Sequence, residues 1–394
     1  MNLEIQALLE HSYGLNFIVI LLAIFFSFIL NHNIKRVPVA IFSLAVSIIF
    51  FQIELIEHTH LEKEIALLYG YLGLAALSIA MQPIGLEIHE YSVFLKAKFW
   101  LIIFLIFGSS GILACFITIE SFELIAGYTA LLLTSSLAVL NVFIQIRPKI
   151  LNTNLVKLAM PIGFTTDCGL WILISFLKIN HEVGITFETI LPQIVVLFGS
   201  ILIVFLGKKW WWDLIPENHN IDIWIPIGGI FAFAFFVVGF SPVLGAIFGG
   251  LVVPNKVKHK LAHENNRFFG HAMLFYMATV GFKIHDIIDL QSFKIAFEII
   301  CLTTIVKFIG IKYSGLFTRN EILPALFILG NGGTMLIAAG VALASPLIDG
   351  TSILPHNTPV VVAIVAVIYT VAASFYFDKH PIEVNKTEIE SKSH

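Results

Sequence analysis

Two ionisable residues lie deep inside apolar segments of this sequence. Asp167 sits within the apolar segment 155–178, and Lys307 sits within 293–313. A charge at the centre of a bilayer costs roughly 2.5–3.5 kcal/mol on insertion scales, so such residues usually mark an ion or proton path. We therefore expect Asp167 to bind a cation and a proton in turn, with Lys307 as its basic counterpart. Two structural alternatives stay open: an acid that only pairs with a neighbouring helix, and a lysine that reaches out to the membrane surface.

Hydroxyl and amide side chains lie next to Asp167 or in polar interruptions of other apolar segments. We expect Thr166 to bind the ion or proton together with Asp167 and Lys307, because hard cations prefer oxygen ligands. Six further residues are expected to support the site from the interruptions and from the same segment: Thr134, Ser135, Ser136, Thr165, Asn331 and Thr334. The sequence has no Walker loop, dinucleotide-binding glycine pattern or zinc-ligand spacing. We therefore expect no enzyme activity, no cofactor, no bound metal and no nucleic-acid partner.

The composition predicts an all-α polytopic membrane protein. Of the 394 residues, 58% are hydrophobic and 12% are charged, with a mean hydropathy of +0.92. About 20 apolar residues are needed to cross a bilayer as a helix. Thirteen segments of suitable character occur, at 15–31, 37–56, 65–87, 99–119, 122–146, 155–178, 189–206, 221–238, 241–254, 268–284, 293–313, 321–346 and 357–377. The polar and basic stretch 256–267 is interpreted as a loop before the tenth of these.

Lysine and arginine residues predict the orientation of these segments. Alternate connections carry most of them: Lys35, Arg36, Lys96, Lys98, Arg147, Lys149, Lys157, Lys208, Lys209, Lys256, Lys258, Lys260, Arg267, Lys312 and Arg319. The opposite side has Lys63, Lys178, Lys283 and Lys294. Because cytoplasmic loops carry the excess of positive charge, the N-terminus is expected outside and the C-terminus in the cytoplasm.

An internal repeat links the two halves of the chain. The pentapeptide Gly-Leu-Glu-Ile-His at 85–89 recurs as Gly-Phe-Lys-Ile-His at 281–285, 196 residues later and seven segments further on. An odd number of crossings predicts that the copies are inverted, as in many secondary transporters. The same offset pairs the interruptions at 134–138 and 330–334, which predicts two broken helices near a transport site. Small residues used only for close helix packing are the alternative.

Several of these motifs resemble the monovalent cation:proton antiporter-2 family of the sodium–proton exchanger superfamily. The similarity is most specific at 239–251 (Gly-Phe-Ser-Pro-Val-Leu-Gly-Ala-Ile-Phe-Gly-Gly-Leu) and extends to 71–88, 134–139, 275–282 and 307–310. The resemblance implies a thirteen-helix inverted repeat with two crossed broken helices. It also implies a dimerisation panel at 1–92 and 183–290, a mobile core at 93–182 and 291–378, and a cytoplasmic tail at 379–394. A homodimer in a bacterial inner membrane is the assembly and location that it implies.

The sequence departs from the pattern of this family at its acidic pair. The family usually carries Asp-Asp, Asn-Asp or Gln-Asp where this chain has Thr166-Asp167. If Asp167 aligns with the second position, the ion-binding acid is kept. If it aligns with the first position, the ion-binding place falls to Cys168. The Arg-Gly-Glu motif of the family is replaced here by Gly332-Gly333-Thr334.

Taken together, the residues and the resemblance predict a secondary-active antiporter. It would exchange a monovalent cation, Na⁺ or K⁺, for H⁺ by alternating access. The cation, protons and the lipid bilayer are then its partners. Two other functions remain open for the same architecture: a solute symporter, and a membrane scaffold or sensor that does not transport.

Overall fold

The chain is all-helical wherever the computed structural model describes it. The described residues are 14–33, 39–52, 63–86, 91–135, 154–182, 184–207, 224–284, 290–330, 334–345 and 352–380. Within these ranges no β-strand occurs, so the prediction of an all-α protein is confirmed for them.

Fourteen α-helices can be followed through these ranges, and a short 3-10 segment, Tyr91–Leu95, precedes the fourth. In chain order they are α1 (Gly14–Asn33), α2 (Val39–Gln52), α3 (Lys63–Leu86), α4 (Ala97–Ile117), α5 (Phe122–Leu133), α6 (Asn154–Glu182), α7 (Phe187–Leu206), α8 (Ile225–Val237), α9 (Pro242–Val252), α10 (Asn255–Ile284), α11 (Leu290–Ser314), α12 (Ile322–Leu329), α13 (Thr334–Ala344) and α14 (Thr358–Lys379).

Four of the described helices are long and apolar enough to cross a membrane. They contain the segments Ala97–Ile117, Leu155–His181, Phe187–Leu206 and Thr358–Phe377. Shorter apolar stretches occur in α1, α3, α5, α8, α9 and α10. These features are those of a membrane-embedded helical protein, because a helix satisfies its own backbone hydrogen bonds in lipid.

The stretch 256–267 was predicted to be a loop, and this prediction is wrong. Helix α10 begins at Asn255 and continues for thirty residues. Val257 and Leu261 are buried against Trp224 and Val253, in a cluster that also contains Phe269. A basic helical stretch can therefore bury one side when its apolar residues are spaced by four positions. Composition alone does not show this spacing.

Contacts between Cα atoms divide the chain into two compact units. Unit 1 contains Met1–Glu87 and Ile185–Ile288, and unit 2 contains Ile88–Gly184 and Asp289–His394. The sequence analysis placed its boundaries at 92/93, 182/183 and 290/291. The roles assigned there, a dimerisation panel and a mobile core, stay predictions.

Unit 1 is built around two helix triplets that pack in the same way. The first triplet is α1, α2 and α3, and the second is α8, α9 and α10. Helices α1 and α2 are in contact, as are α8 and α9. Helix α3 packs on α9, and α10 packs on α2. The two glycines of the pentapeptide repeat make these close approaches. A Cβ on Gly85 of α3 would overlap Ile247 O of α9, and a Cβ on Gly281 of α10 would lie 2.6 Å from Ser47 Cβ of α2. Small residues of this kind let helix backbones approach closely in a membrane.

In unit 2, described helices end at both of the polar interruptions predicted from the sequence. Helix α5 stops at Leu133, and the residue after it, Thr134, has an extended conformation with φ −54° and ψ 150°. Helix α12 stops at Leu329, and α13 starts at Thr334. Helices α4 and α11, which precede these two segments, pack against each other. Helix α6 is in contact with α4, α5, α12 and α13, so the helix of Asp167 lies beside both interrupted segments.

Replacing the repeat glycines tests the close packing in unit 1. We expect Gly85→Ala and Gly281→Ala each to destabilise the protein by about 1–3 kcal/mol, because an added methyl forces backbones apart. Thermal unfolding of the purified protein in detergent measures the effect. Gly229→Ala in α8 is the matched control, since a Cβ there meets open space. Equal unfolding temperatures for all three variants would contradict the close approach.

Candidate functional site: a buried carboxylate at a helix break

The site is organised by the end of α5. This helix starts with a cap, in which Leu124 N donates to Ser121 Oγ at 3.1 Å. At its other end the last carbonyl groups have no helical partner, as at every helix C-terminus. Thr134 Oγ1 donates to one of them, Leu131 O, at 2.9 Å. The chain then leaves the helix at Thr134 and Ser135, so polar backbone groups are presented inside the unit.

Asp167 binds Ser135, the second residue beyond this helix end. Its side chain is 0% exposed. Oδ1 accepts a hydrogen bond from Ser135 N at 3.0 Å, and Oδ2 accepts one from Ser135 Oγ at 2.8 Å. Both carboxylate oxygens are thus bonded to one residue, and such bonds to a charged acceptor are among the stronger ones in proteins.

Lys307 binds the last residue of α5, on the N-terminal side of Thr134. It is also 0% exposed, and Nζ donates to Leu133 O at 2.8 Å. A cation at a helix C-terminus is favourable, because the helix dipole and its unpaired carbonyls are negative there. Because its side chain is buried and its ammonium is bonded to Leu133 O, Lys307 does not extend to the surface of the unit, as the alternative reading required.

Asp167 and Lys307 are therefore joined through backbone and not through a direct hydrogen bond. Lys307 binds Leu133 O, Asp167 binds Ser135, and Thr134 alone separates the two. The opposite charges attract each other across this short stretch. Each charge also satisfies a backbone group that would otherwise be costly to bury.

Oxygen atoms gather around the carboxylate. Thr166 Oγ1 donates to Gly163 O at 2.9 Å, and Ser135 Oγ lies 3.4 Å from the same carbonyl. Together with Asp167 these groups form a connected set of carboxylate, hydroxyl and carbonyl oxygens. This is the ligand chemistry that hard cations prefer.

The other predicted site residues have mixed outcomes. Thr165 Oγ1 donates to Pro161 O at 2.8 Å within α6, and Thr134 bonds its own helix and not Asp167. Thr334 is the first residue of α13. Ser136 and Asn331, and the side chain of Thr334, lie outside the described residues. Within the described ranges, no group of three His, Cys, Asp or Glu residues is arranged to hold a metal ion.

Three contributors were missed by the sequence analysis. Leu133 and Gly163 act through backbone carbonyls, which carry no residue-type signal. Tyr369 of α14 donates to Leu326 O of α12 at 2.6 Å. A phenol in an otherwise apolar segment was a usable signal, since a buried tyrosine hydroxyl normally finds a partner.

A double-mutant cycle tests whether the two buried charges depend on each other. We expect Asp167→Asn and Lys307→Gln each to lower stability, because each leaves one buried charge without its counter-charge. The double variant should be more stable than the sum predicts, by about 1–3 kcal/mol. Unfolding temperatures in detergent give the comparison. Lys307→Gln combined with Glu123→Gln, at the far end of α5, should be additive, and additivity in both pairs would contradict the coupling.

Comparison with known proteins gives no family assignment. No protein-family model matches this chain, and no curated protein matches it. The likeness to cation:proton antiporters is therefore a resemblance of short motifs. The function has to be argued from the geometry around Asp167.

Proposed function

We propose that this chain is a secondary-active antiporter that exchanges a monovalent cation, Na⁺ or K⁺, for H⁺. The observation that carries the proposal is the fully buried carboxylate of Asp167, bonded through both oxygens to Ser135 at a helix break. Intramembrane acids facing the interior of a helix bundle usually serve ion or proton transfer. Transporter sites are typically built where membrane helices are interrupted.

Competition for one negative charge couples the two fluxes. Asp167 can hold either a cation or a proton, so each must leave before the other binds. In the structure, Ser135 Oγ donates to Asp167 Oδ2. When a cation binds, this hydroxyl can turn its proton to Gly163 O, at 3.4 Å, and offer a lone pair to the cation. When Asp167 is protonated, the carboxylic hydroxyl can donate to Ser135 Oγ in turn. Ser135 thus serves both states.

Thr166 and Lys307 complete the proposed site. The hydroxyl oxygen of Thr166 keeps lone pairs for a cation while its proton goes to Gly163 O. Lys307 balances the charge of Asp167 and holds the end of α5 through Leu133 O. Because Lys307 does not hydrogen-bond Asp167, cation binding need not release a proton from the lysine. One cation is then exchanged for one proton.

The wider arrangement follows the resemblance. We place the protein in a bacterial inner membrane as a homodimer with thirteen membrane-spanning segments, its N-terminus outside and its C-terminus in the cytoplasm. The segments 93–182 and 291–378 would form the core that moves to give alternating access. The segments 1–92 and 183–290 would form the dimerisation panel.

Removing the titratable charge tests the proposal directly. We expect Asp167→Asn to reduce cation-dependent proton flux to the level of empty liposomes, because asparagine keeps the shape but cannot hold an exchangeable proton. The assay follows internal pH of proteoliposomes as Na⁺, K⁺ and Li⁺ are added in turn.

The neighbouring residue supplies the control. Cys168→Ala should keep its flux, since Cys168 is buried beside Asp167 but is not needed if Asp167 binds the ion. Wild-type flux from Asp167→Asn, or loss of flux in Cys168→Ala alone, would show the assignment to be wrong. A wild-type protein that moves no ions would instead favour a scaffold or sensor.

The stoichiometry predicts how exchange responds to voltage. One-for-one exchange carries no net charge, so its rate should change less than twofold under an imposed potential. A cycle that moves one net charge would gain or lose about 2.3 kcal/mol per 100 mV, which allows rate changes on the order of tens-fold. Potassium gradients with an ionophore set the potential in a Na⁺ assay. A steep voltage response would overturn the one-for-one version.

A further inference from the structure

Helix α12 is too short to define its own position. It has eight residues, Ile322–Leu329, and the break begins at the next residue, Gly330. Isolated helices shorter than about 12–15 residues are marginal even with favourable sequences. Tertiary contacts must therefore hold α12, and whatever holds it also sets the place where the chain breaks.

Aromatic residues of α14 pack against Phe327 of α12. The ring of Phe327 stacks on Tyr376, with centroids 4.6 Å apart and planes at 23°. It also lies 6.1 Å from the Tyr369 ring and 6.3 Å from the Phe377 ring. Such pairs prefer offset stacked or edge-on arrangements and contribute beyond the area that they bury. We call Phe327, Tyr369, Tyr376 and Phe377 the aromatic clamp.

Tyr369 adds a polar contact to this clamp. It is 6% exposed, and its hydroxyl donates to Leu326 O in the last turn of α12 at 2.6 Å. Its phenol also occupies the space where a side chain at position 330 would lie, since a Cβ on Gly330 would overlap the phenol oxygen. Tyr369 thus touches both the last turn of the helix and the first residue of the break.

The two breaks are held by different chemistry. Leu133 O at the first break accepts from the ammonium of Lys307, whereas Leu326 O at the second accepts from a neutral phenol. A phenol keeps its proton near neutral pH, so this contact does not change when Asp167 exchanges a cation for a proton. Helices α12 and α13 both pack on α6. The position of the second break therefore affects the packing around the helix that carries Asp167.

We propose that Tyr369 is a positioning residue that fixes the second helix break and thereby sets the cation affinity of the transport site. This inference rests on the proposed function. A small shift of α12 alters its packing against α6, the helix that carries Asp167. It leaves the carboxylate of Asp167 and its bonds to Ser135 in place. Cation binding is then weakened, while proton binding is unchanged.

Tyr369→Phe tests this, with Tyr376→Phe as the matched control. Tyr369→Phe keeps the ring in the aromatic clamp and removes only the bond to Leu326 O. A neutral hydrogen bond is worth about 0.5–1.5 kcal/mol, so the KM for Na⁺ and K⁺ should rise about 2- to 10-fold. The kcat and the pH profile should stay within twofold of the wild type. Tyr376→Phe removes a hydroxyl from the same helix and clamp that makes no hydrogen bond to the described residues, and should leave the KM unchanged.

A purely structural role predicts a different pattern. Loss of folded protein would lower the apparent kcat and leave the KM alone, and that outcome would overturn the inference. So would an unchanged KM for Tyr369→Phe, or an equal rise for Tyr376→Phe. If Tyr369→Phe does not fold, Gly330→Ala decides, because it displaces the same phenol from the other side and should raise the KM as well.

The wild type and Asp167→Asn, measured in the same assay, distinguish a failure of the proposed function from a failure of the inference about Tyr369. A wild-type protein without cation-dependent flux would overturn both the proposed function and this inference. If the wild type shows flux, Asp167→Asn abolishes it and the KM of Tyr369→Phe is unchanged, only the inference about Tyr369 is overturned. The proposed function then stands.

Discussion

The helix end at Leu133 is the constraint on which the site depends. A helix that stops inside an apolar protein leaves carbonyl groups without partners, and lipid supplies none. Here Lys307 binds the carbonyl just before the break, and Asp167 binds the amide and hydroxyl just after it. The break needs buried polar partners, and the buried charges need polar backbone. The hydrogen bonds between the charges and the backbone therefore lower the cost of burying both.

This arrangement keeps the described site close to neutral. One carboxylate and one ammonium lie on either side of Thr134, and neither is exposed. A cation entering such a site adds a charge that the surroundings cannot screen, because water is excluded. In the proposed exchange the entering cation takes the place of a proton on Asp167, so the site carries the same charge with either one bound. The electrostatics of burial therefore favour exchange over simple accumulation of charge.

Several packing contacts elsewhere in the described residues are made by neutral groups. In unit 1 the repeat glycines bring helix backbones together, and Ser43 and Ser47 of α2 donate to Leu274 O and Ala278 O of α10. In unit 2 the aromatic clamp and one phenol hold the short helix α12. None of these contacts changes its charge near neutral pH.

The sequence by itself determined the helical class, the acid at 167 and the ends of α5 and α12. These are local features: apolar length, a lone charge, and polar or glycine residues inside an apolar run. Only the tertiary structure decided that Lys307 binds Leu133 O, that Ser135 and not Thr134 binds Asp167, and that Tyr369 binds Leu326 O. It also decided that α10 begins at Asn255, through burial of Val257 and Leu261. The physical reason is that backbone carbonyls are identical in every residue, so their partners are set by how distant helices pack.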